Sequence, residues 1–335
     1  MSRQTRVAVI GGGSWGTTVA SLAARNAPTV LWSRRPDVAD QINREHVNPE
    51  YLPNEELDSA LQATADLEEA VSAADVLVMA VPSHGFRDVL QQAAPYVRPW
   101  VPIISLTKGL EQRTHNRMTE VIDELLPQHP AGVLAGPNLA KEVIGGFAAA
   151  AVLALPDERV TSALQRVFTQ TVFRVYASTD VVGVELAGAL KNVFAISAGM
   201  AAGLGTGDNT RALVIARSLA EMARLGVAMG GERHTFAGLA GLGDLLATCI
   251  SPLSRNRHVG EELAKGRTIE EVTDEMNMVA EGVKTSSAVM ELAERHGVEM
   301  PIAREVHLVV SEGHTAQEAF VGLLRTTPTT ELAAN

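Results

Sequence analysis

The feature that most constrains this chain is a strand-like run that ends in glycines and opens a helix. Val7-Ala8-Val9-Ile10 leads into Gly11-Gly12-Gly13-Ser14-Trp15-Gly16, and helical periodicity follows over residues 17–26. Gly11, Gly13 and Gly16 fit G-x-G-x-x-G. In that pattern the first glycine permits a tight turn, the second lets backbone approach a pyrophosphate, and the third lets helix and strand pack closely. The helix N-terminus adds N–H donors and a partial positive charge for an anion. The motif alone also describes a glycine turn without a ligand. Its place between a strand and a helix, at the head of a βαβ pattern, points to dinucleotide binding.

The rest of the first half continues that pattern. Short apolar runs at 6–10, 29–32, 76–81, 102–105, 132–134 and 149–155 lack polar alternation, as strands buried on both faces do. Helical patterns lie between them, at 86–94 and 116–126 for example. The expected fold is α/β: a Rossmann-type, doubly wound parallel sheet. Beyond Thr179 strand signals fade. Residues 181–202 read as a buried helix, and Gly203-Leu204-Gly205-Thr206-Gly207 breaks it. Asp208 is placed to cap the next helix, expected to run to Leu225 and stop at Gly226. Further helices are expected at 261–265, 269–276, 286–296 and 303–310, and residues 326–335 read as a frayed end. The chain therefore divides into a dinucleotide-binding domain at 1–180 and an all-α substrate domain at 181–335.

With 335 residues, two domains are the expected number. A net charge of -11 and 4% aromatic residues argue against nucleic acid as a partner, because neither a phosphate-binding surface nor a stacking platform is present in bulk. Cys249 is the single cysteine, which excludes an internal disulfide and fits a reducing compartment. The N-terminus is too short in apolar residues for a signal segment. No stretch is read as a membrane span; 148–155 is apolar for only eight residues. A cytoplasmic location is the expectation.

At the end of the second strand, NAD-preferring folds carry an acid that holds the ribose hydroxyls. Here the chain reads Ser33-Arg34-Arg35. Arginine offers a planar fork for a 2′-phosphate, so NADP(H) is favoured. If one arginine instead stacks on adenine, NAD(H) is accepted too. Lys191 is the other outlier. Its helical neighbours Val184, Ala187, Gly188, Phe194, Ala195 and Ala198 are all small or apolar. A buried ammonium is costly unless paired or used. Two readings stand: a proton-transfer residue, or a lysine that snorkels to solvent or pairs with an acid such as Glu185 or Asp244. His84, His234 and His258 have no metal-ligand spacing, and no metal site is read.

These residues resemble one family, the bacterial NAD(P)H-dependent glycerol-3-phosphate dehydrogenases, over about residues 6–325. The likeness is carried by Gly11–Gly16, Leu106-Thr107-Lys108-Gly109-Leu110-Glu111, Ala135-Gly136-Pro137-Asn138-Leu139-Ala140-Lys141-Glu142, the segment 183–192, Asp208-Asn209-Thr210-Arg211, Gly238-Leu239-Ala240-Gly241-Leu242-Gly243-Asp244-Leu245, Ser254-Arg255-Asn256-Arg257 and Val279-Ala280-Glu281-Gly282-Val283. The resemblance implies hydride transfer between NAD(P)H and dihydroxyacetone phosphate to give sn-glycerol 3-phosphate, supplying glycerophospholipid synthesis. It implies that Ser14 and Trp15 contact the cofactor, with Arg34 and Arg35 near its adenosine end, and that Lys108 lies where cofactor and substrate meet. Gly136 and Asn138 line the substrate site, and Ala140 touches the cofactor. Lys191 transfers the proton. Asp244, Ser254, Arg255 and Asn256 bind substrate, Arg255 also reaching the cofactor, and Val279 and Glu281 complete the nicotinamide side. The family commonly has Ser or Thr where Asn138 stands; an amide still donates and accepts.

The chemistry of the residues agrees with a phosphorylated substrate. In an acidic chain a local cluster must attract the anion, and Lys108, Lys191, Arg255 and Arg257 are the candidates. Ser254-Arg255-Asn256 offers a hydroxyl, a fork and an amide; the same run also reads as a helix cap with a solvated charge. Asp244 follows Gly241-Leu242-Gly243, so it reads either as a turn cap or as the residue that orients Lys191 or a substrate hydroxyl. By analogy with the family, a homodimer through the helical domain is allowed. A 6-phosphogluconate-type dehydrogenase is disfavoured because Ala195, not Asn, stands one turn beyond the lysine. A catalytically silent NADPH sensor is disfavoured by the presence of Lys108, Lys191 and Arg255.

Overall fold

The computed structural model describes residues 4–276 and 280–324. Val279 and the segment expected to fray at 326–335 lie outside the described residues. Two compact units meet between Glu185 and Leu186.

The first unit is built on a sheet of eight strands among the described residues. The strands of this unit are β1 (Val7–Ile10), β2 (Thr29–Trp32), β3 (Val47–Asn48), β4 (Leu52–Glu56), β5 (Gln62–Thr64), β6 (Val76–Met79), β7 (Ile103–Ser105), β8 (Ala131–Ala135), β9 (Ala149–Ala154) and β10 (Phe173–Ser178). The sheet order is β10-β9-β8-β7-β6-β1-β2-β5, with β3 and β4 forming a separate hairpin. Side chains alternate between two cores: Val7, Val9, Val76 and Val78 face one, and Ala8, Ile10, Leu77 and Met79 face the other. Burial on both faces is why these strands lack polar alternation.

Two features depart from the expected all-parallel sheet. β8 and β9 pair antiparallel, Leu134 opposite Leu153, while the other neighbours run parallel. An apolar run reports burial on two faces but not strand direction. The strands β3, β4, β5 and β10 were not expected. β5 and β10 lie at the sheet edges, and β10 buries Phe173 and Val175 while exposing Arg174 and Tyr176, so neither reads as a continuous apolar run.

The second unit is helical. The Val181–Gly203 helix, which enters this unit at Leu186, corrects the expectation that no stretch reaches membrane-spanning length: its 23 residues are apolar enough, but 89% of its apolar window is buried inside the protein. It is the core helix of this unit, buried from 183 to 201. Helix Asp208–Ala228 runs past Gly226 instead of stopping there, and Gly226 leaves room for the ring of Phe236; a Cβ would lie 2.0 Å from its Cζ. Asp208 does not cap this helix; Gly207 holds the N-cap position and Asp208 pairs with Arg211. The helix expected at 261–265 begins a full turn and more earlier, as Arg255–Ala264. Gly199 and Gly260 let this helix meet the core helix backbone to backbone. A Cβ on either would approach a carbonyl oxygen of the other helix to about 2 Å, Arg257 O at 2.0 Å and Ile196 O at 2.1 Å.

Candidate functional site

In the first unit, the glycine turn has the geometry its three glycines allow. Gly11 sits at φ +123°, and a Cβ there would press on the Ala80 carbonyl oxygen at 2.6 Å. Gly16 packs on the turn itself; a Cβ would lie 2.1 Å from Gly11 O. Gly13 is different: nothing lies within 4 Å of where its Cβ would be. It precedes the Ser14–Ala24 helix with no side chain capping that helix. Open space in front of an uncapped helix N-terminus suits a pyrophosphate. Trp15 packs edge-on against Phe173, centroids 6.1 Å apart, and its buried Nε1 has no hydrogen-bond partner among the described residues. An unsatisfied buried donor beside the turn fits a bound dinucleotide.

Arg34 and Arg35 follow β2, both exposed. Their situations differ. Arg34 makes no ion pair among the described residues. Arg35 is held by Asp37, with Nε donating at 3.1 Å and Nη2 pairing with the other carboxylate oxygen, and Nη1 pairs with Glu50 on the β3–β4 hairpin. The Asp37 hydrogen bond raises the Arg35 pKa and lowers that of Asp37.

The loops after β7 and β8 place Lys108, Gly136 and Asn138. Lys108 Nζ donates to the Gly136 carbonyl at 2.8 Å. Gly136, at φ +145°, approaches Ala150 O so closely that a Cβ would lie 3.0 Å from it. Asn138 is buried, and both atoms of its amide lack a hydrogen-bond partner among the described residues. Ala140 begins the short helix Ala140–Ile144.

In the second unit, Lys191 is paired. It is 5% exposed on the core helix, and its Nζ lies 2.8 Å from Asp244 Oδ1, itself 2% exposed. Nζ also donates to Thr248 Oγ1 at 2.5 Å, and Thr248 donates to the Asp244 backbone carbonyl at 2.6 Å. Asp244 and Thr248 reach the lysine together because they are four apart on the Asp244–Ile250 helix. A π-helical turn, Leu239–Gly243, delivers that helix; π turns recur at functional sites. Glu185 is not the partner: it accepts from the Thr119 backbone N–H at 3.0 Å and pairs with Arg117 at 3.0 Å. Burial pushes the Glu185 carboxyl up against those donors. Burial also pushes the neighbouring Cys249 thiol up to about 12, so it stays protonated.

The polar run 254–256 is the start of a helix. Ser254 is its N-cap, Oγ accepting from the Arg257 backbone N–H at 3.3 Å. Asn256 bridges two other elements. Its Nδ2 donates to Asn192 Oδ1 at 3.0 Å, and its Oδ1 accepts from the Gly282 backbone N–H at 3.0 Å. Arg255 retains solvent contact at the surface, yet protein crowds it enough to draw its guanidinium below the ordinary value, opposed by the Glu281 carboxylate. It stays charged regardless. Arg257 pairs with Glu261 at 2.8 Å and donates to the Ile250 carbonyl. Glu281 opens the Glu281–His296 helix. No group of three or more His, Cys, Asp or Glu is placed to hold a metal among the described residues.

Sequence reasoning missed two contributors. Thr248 carried no signal beyond its spacing from Asp244. Asn48, on β3, is fully buried and its Nδ2 donates to Gly12 O and Thr17 Oγ1, each at 2.9 Å, bracing the glycine turn. Only tertiary structure brings it there.

Comparison with known proteins agrees over nearly the whole chain. A family model described as NAD-dependent glycerol-3-phosphate dehydrogenase N-terminus matches residues 6–161, and its C-terminus counterpart matches 180–321. A glycerol-3-phosphate dehydrogenase [NAD(P)+] of Sphingopyxis alaskensis is 59% identical, covering 96% of each chain. One from Mycobacterium avium is 58% identical, covering 97% of this chain and 96% of its own. The crystal structure of glycerol-3-phosphate dehydrogenase from Coxiella burnetii superposes with TM-score 0.91 at 36% identity, covering 96% of this chain and 99% of its own.

Proposed function

The chain belongs to the NAD-dependent glycerol-3-phosphate dehydrogenase family, and from that premise we propose how its own residues perform the reaction. The reaction is the reversible reduction of dihydroxyacetone phosphate to sn-glycerol 3-phosphate with NAD(P)H. The observation that carries the proposal is the buried Lys191–Asp244–Thr248 cluster.

NAD(P)H held at the glycine turn would supply hydride to the carbonyl carbon. Lys191 Nζ donates a proton to the carbonyl oxygen as charge develops on it. Asp244 and Thr248 fix Nζ in position, so its third hydrogen has one direction left to serve the substrate. In the oxidation, the neutral lysine takes that proton back. Lys108, tied to the Gly136 carbonyl, and the unsatisfied Asn138 amide bind the substrate's polar groups. Arg255, at the positive end of its helix, takes the phosphate. Ser254 serves through its cap. Asn256 holds Asn192 and Gly282, leaving its second Nδ2 hydrogen to substrate.

Gly11, Gly13 and Gly16 with Ser14 and Trp15 hold the pyrophosphate, and Ala140 and Glu281 complete the cofactor contacts. Arg34 and Arg35 favour NADP(H) through the 2′-phosphate. Family membership also supports a cytoplasmic homodimer that supplies glycerophospholipid synthesis.

The test follows NAD(P)H absorbance with dihydroxyacetone phosphate and then with unphosphorylated ketones. Turnover confined to the phosphorylated ketone is expected. Equal turnover of dihydroxyacetone would overturn the substrate assignment.

A further inference from the structure

The two arginines after β2 are not equivalent, and the difference lies in an element outside the sheet. The β3–β4 hairpin carries Asn48, which braces the glycine turn, and Glu50, two residues on, which pairs with Arg35. Arg35 is thus enclosed by two carboxylates. Asp37 binds it through both oxygens, as a phosphate would, and Glu50 occupies its remaining terminal nitrogen. Fork-to-carboxylate and fork-to-phosphate contacts use the same donors. A 2′-phosphate reaching Arg35 therefore meets a guanidinium whose charge is already balanced.

We propose that Glu50 sets the cofactor selectivity of this site by competing with the 2′-phosphate of NADP(H) for Arg35. The proposal rests on the reading that Arg35 faces that phosphate. NADH carries a hydroxyl there and loses nothing to the competition. Asp37 and Glu50 so lower the preference for NADPH over NADH, while Arg34 keeps an uncompeted charge. All three side chains of the clasp are well exposed, at 52% for Arg35, 58% for Asp37 and 42% for Glu50, so exchange of partners needs no unfolding.

The measurement is the ratio of dissociation constants for NADPH and NADH, from fluorescence titration of the purified protein. The variants are Glu50→Gln, Arg35→Met and the two combined. Removing one exposed competitor for Arg35 should tighten NADPH roughly 1.4- to fivefold with NADH unchanged. With Arg35→Met in place, Glu50→Gln should leave the ratio alone. Asp37→Asn should shift the ratio in the same direction as Glu50→Gln. An unchanged ratio in Glu50→Gln overturns the proposal. So does an equal gain with and without Arg35, which would mean direct repulsion between Glu50 and the phosphate. If Arg35→Met alone leaves the ratio unchanged, Arg35 does not read the 2′-phosphate, and the cofactor reading itself fails.

Discussion

Lys191 Nζ and Asp244 Oδ1 lie 2.8 Å apart with both side chains almost wholly buried. A lone ammonium on an apolar helix would be strongly disfavoured, and removing one member of a buried pair leaves the other uncompensated. The pair gives the lysine a fixed position in an otherwise apolar core. With Arg255 proposed to hold the substrate's phosphate, Asp244→Asn should lower kcat more than it raises KM. A rise in KM alone would make Asp244 a substrate ligand and not a positioning residue.

Thr248 is the second support. Its hydroxyl accepts from Lys191 and donates to the Asp244 carbonyl. Thr248→Val keeps the shape and deletes both bonds. A hydrogen bond to a charged group is worth about 1.5–3 kcal/mol, which corresponds to a roughly ten- to hundredfold fall in kcat. Steady-state kinetics of the valine and serine variants check this: serine should recover most of the loss.

The glycine turn and Lys191 were legible in the sequence because each breaks a strong local rule. Three glycines at fixed spacing after a strand, and a charge inside an apolar helix, are improbable without a reason. The partners were less legible. Glu185 and Asp244 both stood as candidates for Lys191, and only the helix packing that sends Glu185 to Arg117 separates them. Ser254 as a cap and the pairing of Arg257 with Glu261 depend on where a helix begins, which periodicity places poorly. Asn48 and Glu50 belong to a hairpin too short and polar to register as strands.

Arg255 should read the phosphate. Arg255→Ala is expected to lower catalytic efficiency with dihydroxyacetone phosphate at least about tenfold, the loss of one charge-assisted hydrogen bond. Efficiency with dihydroxyacetone should change far less. Lysine at this position should restore only part, since a point charge lacks the fork. An unchanged ratio between the two ketones would pass the role to Lys108.

A separate prediction concerns stability. Glu221, 2% exposed, accepts from the Ile302 and Ala303 backbone N–H groups at 2.9 and 3.2 Å, where the Pro301–Glu312 helix begins. Burial pushes its carboxyl up to about 7, against those donors and against Arg224 and Arg217. The folded state thus holds a proton more tightly than the unfolded chain. Its contribution is fully present below the ordinary value of 4.5 and is lost as pH rises to about 7. Denaturant titrations should show stability falling across that window, by up to about 3 kcal/mol from this group. Glu221→Gln should flatten the slope; an unchanged slope would assign it to other groups.

Proton donation by Lys191 admits a direct test. The measurement is single-turnover reduction of dihydroxyacetone phosphate by Lys191→Ala, alongside NADPH affinity by fluorescence titration. General acid catalysis is worth about 10²–10⁴-fold, so turnover should fall by at least a hundredfold while NADPH affinity is nearly unchanged. A folded variant that kept more than about a tenth of wild-type turnover, well above what that range allows, would make Lys191 a structural residue and contradict the mechanism.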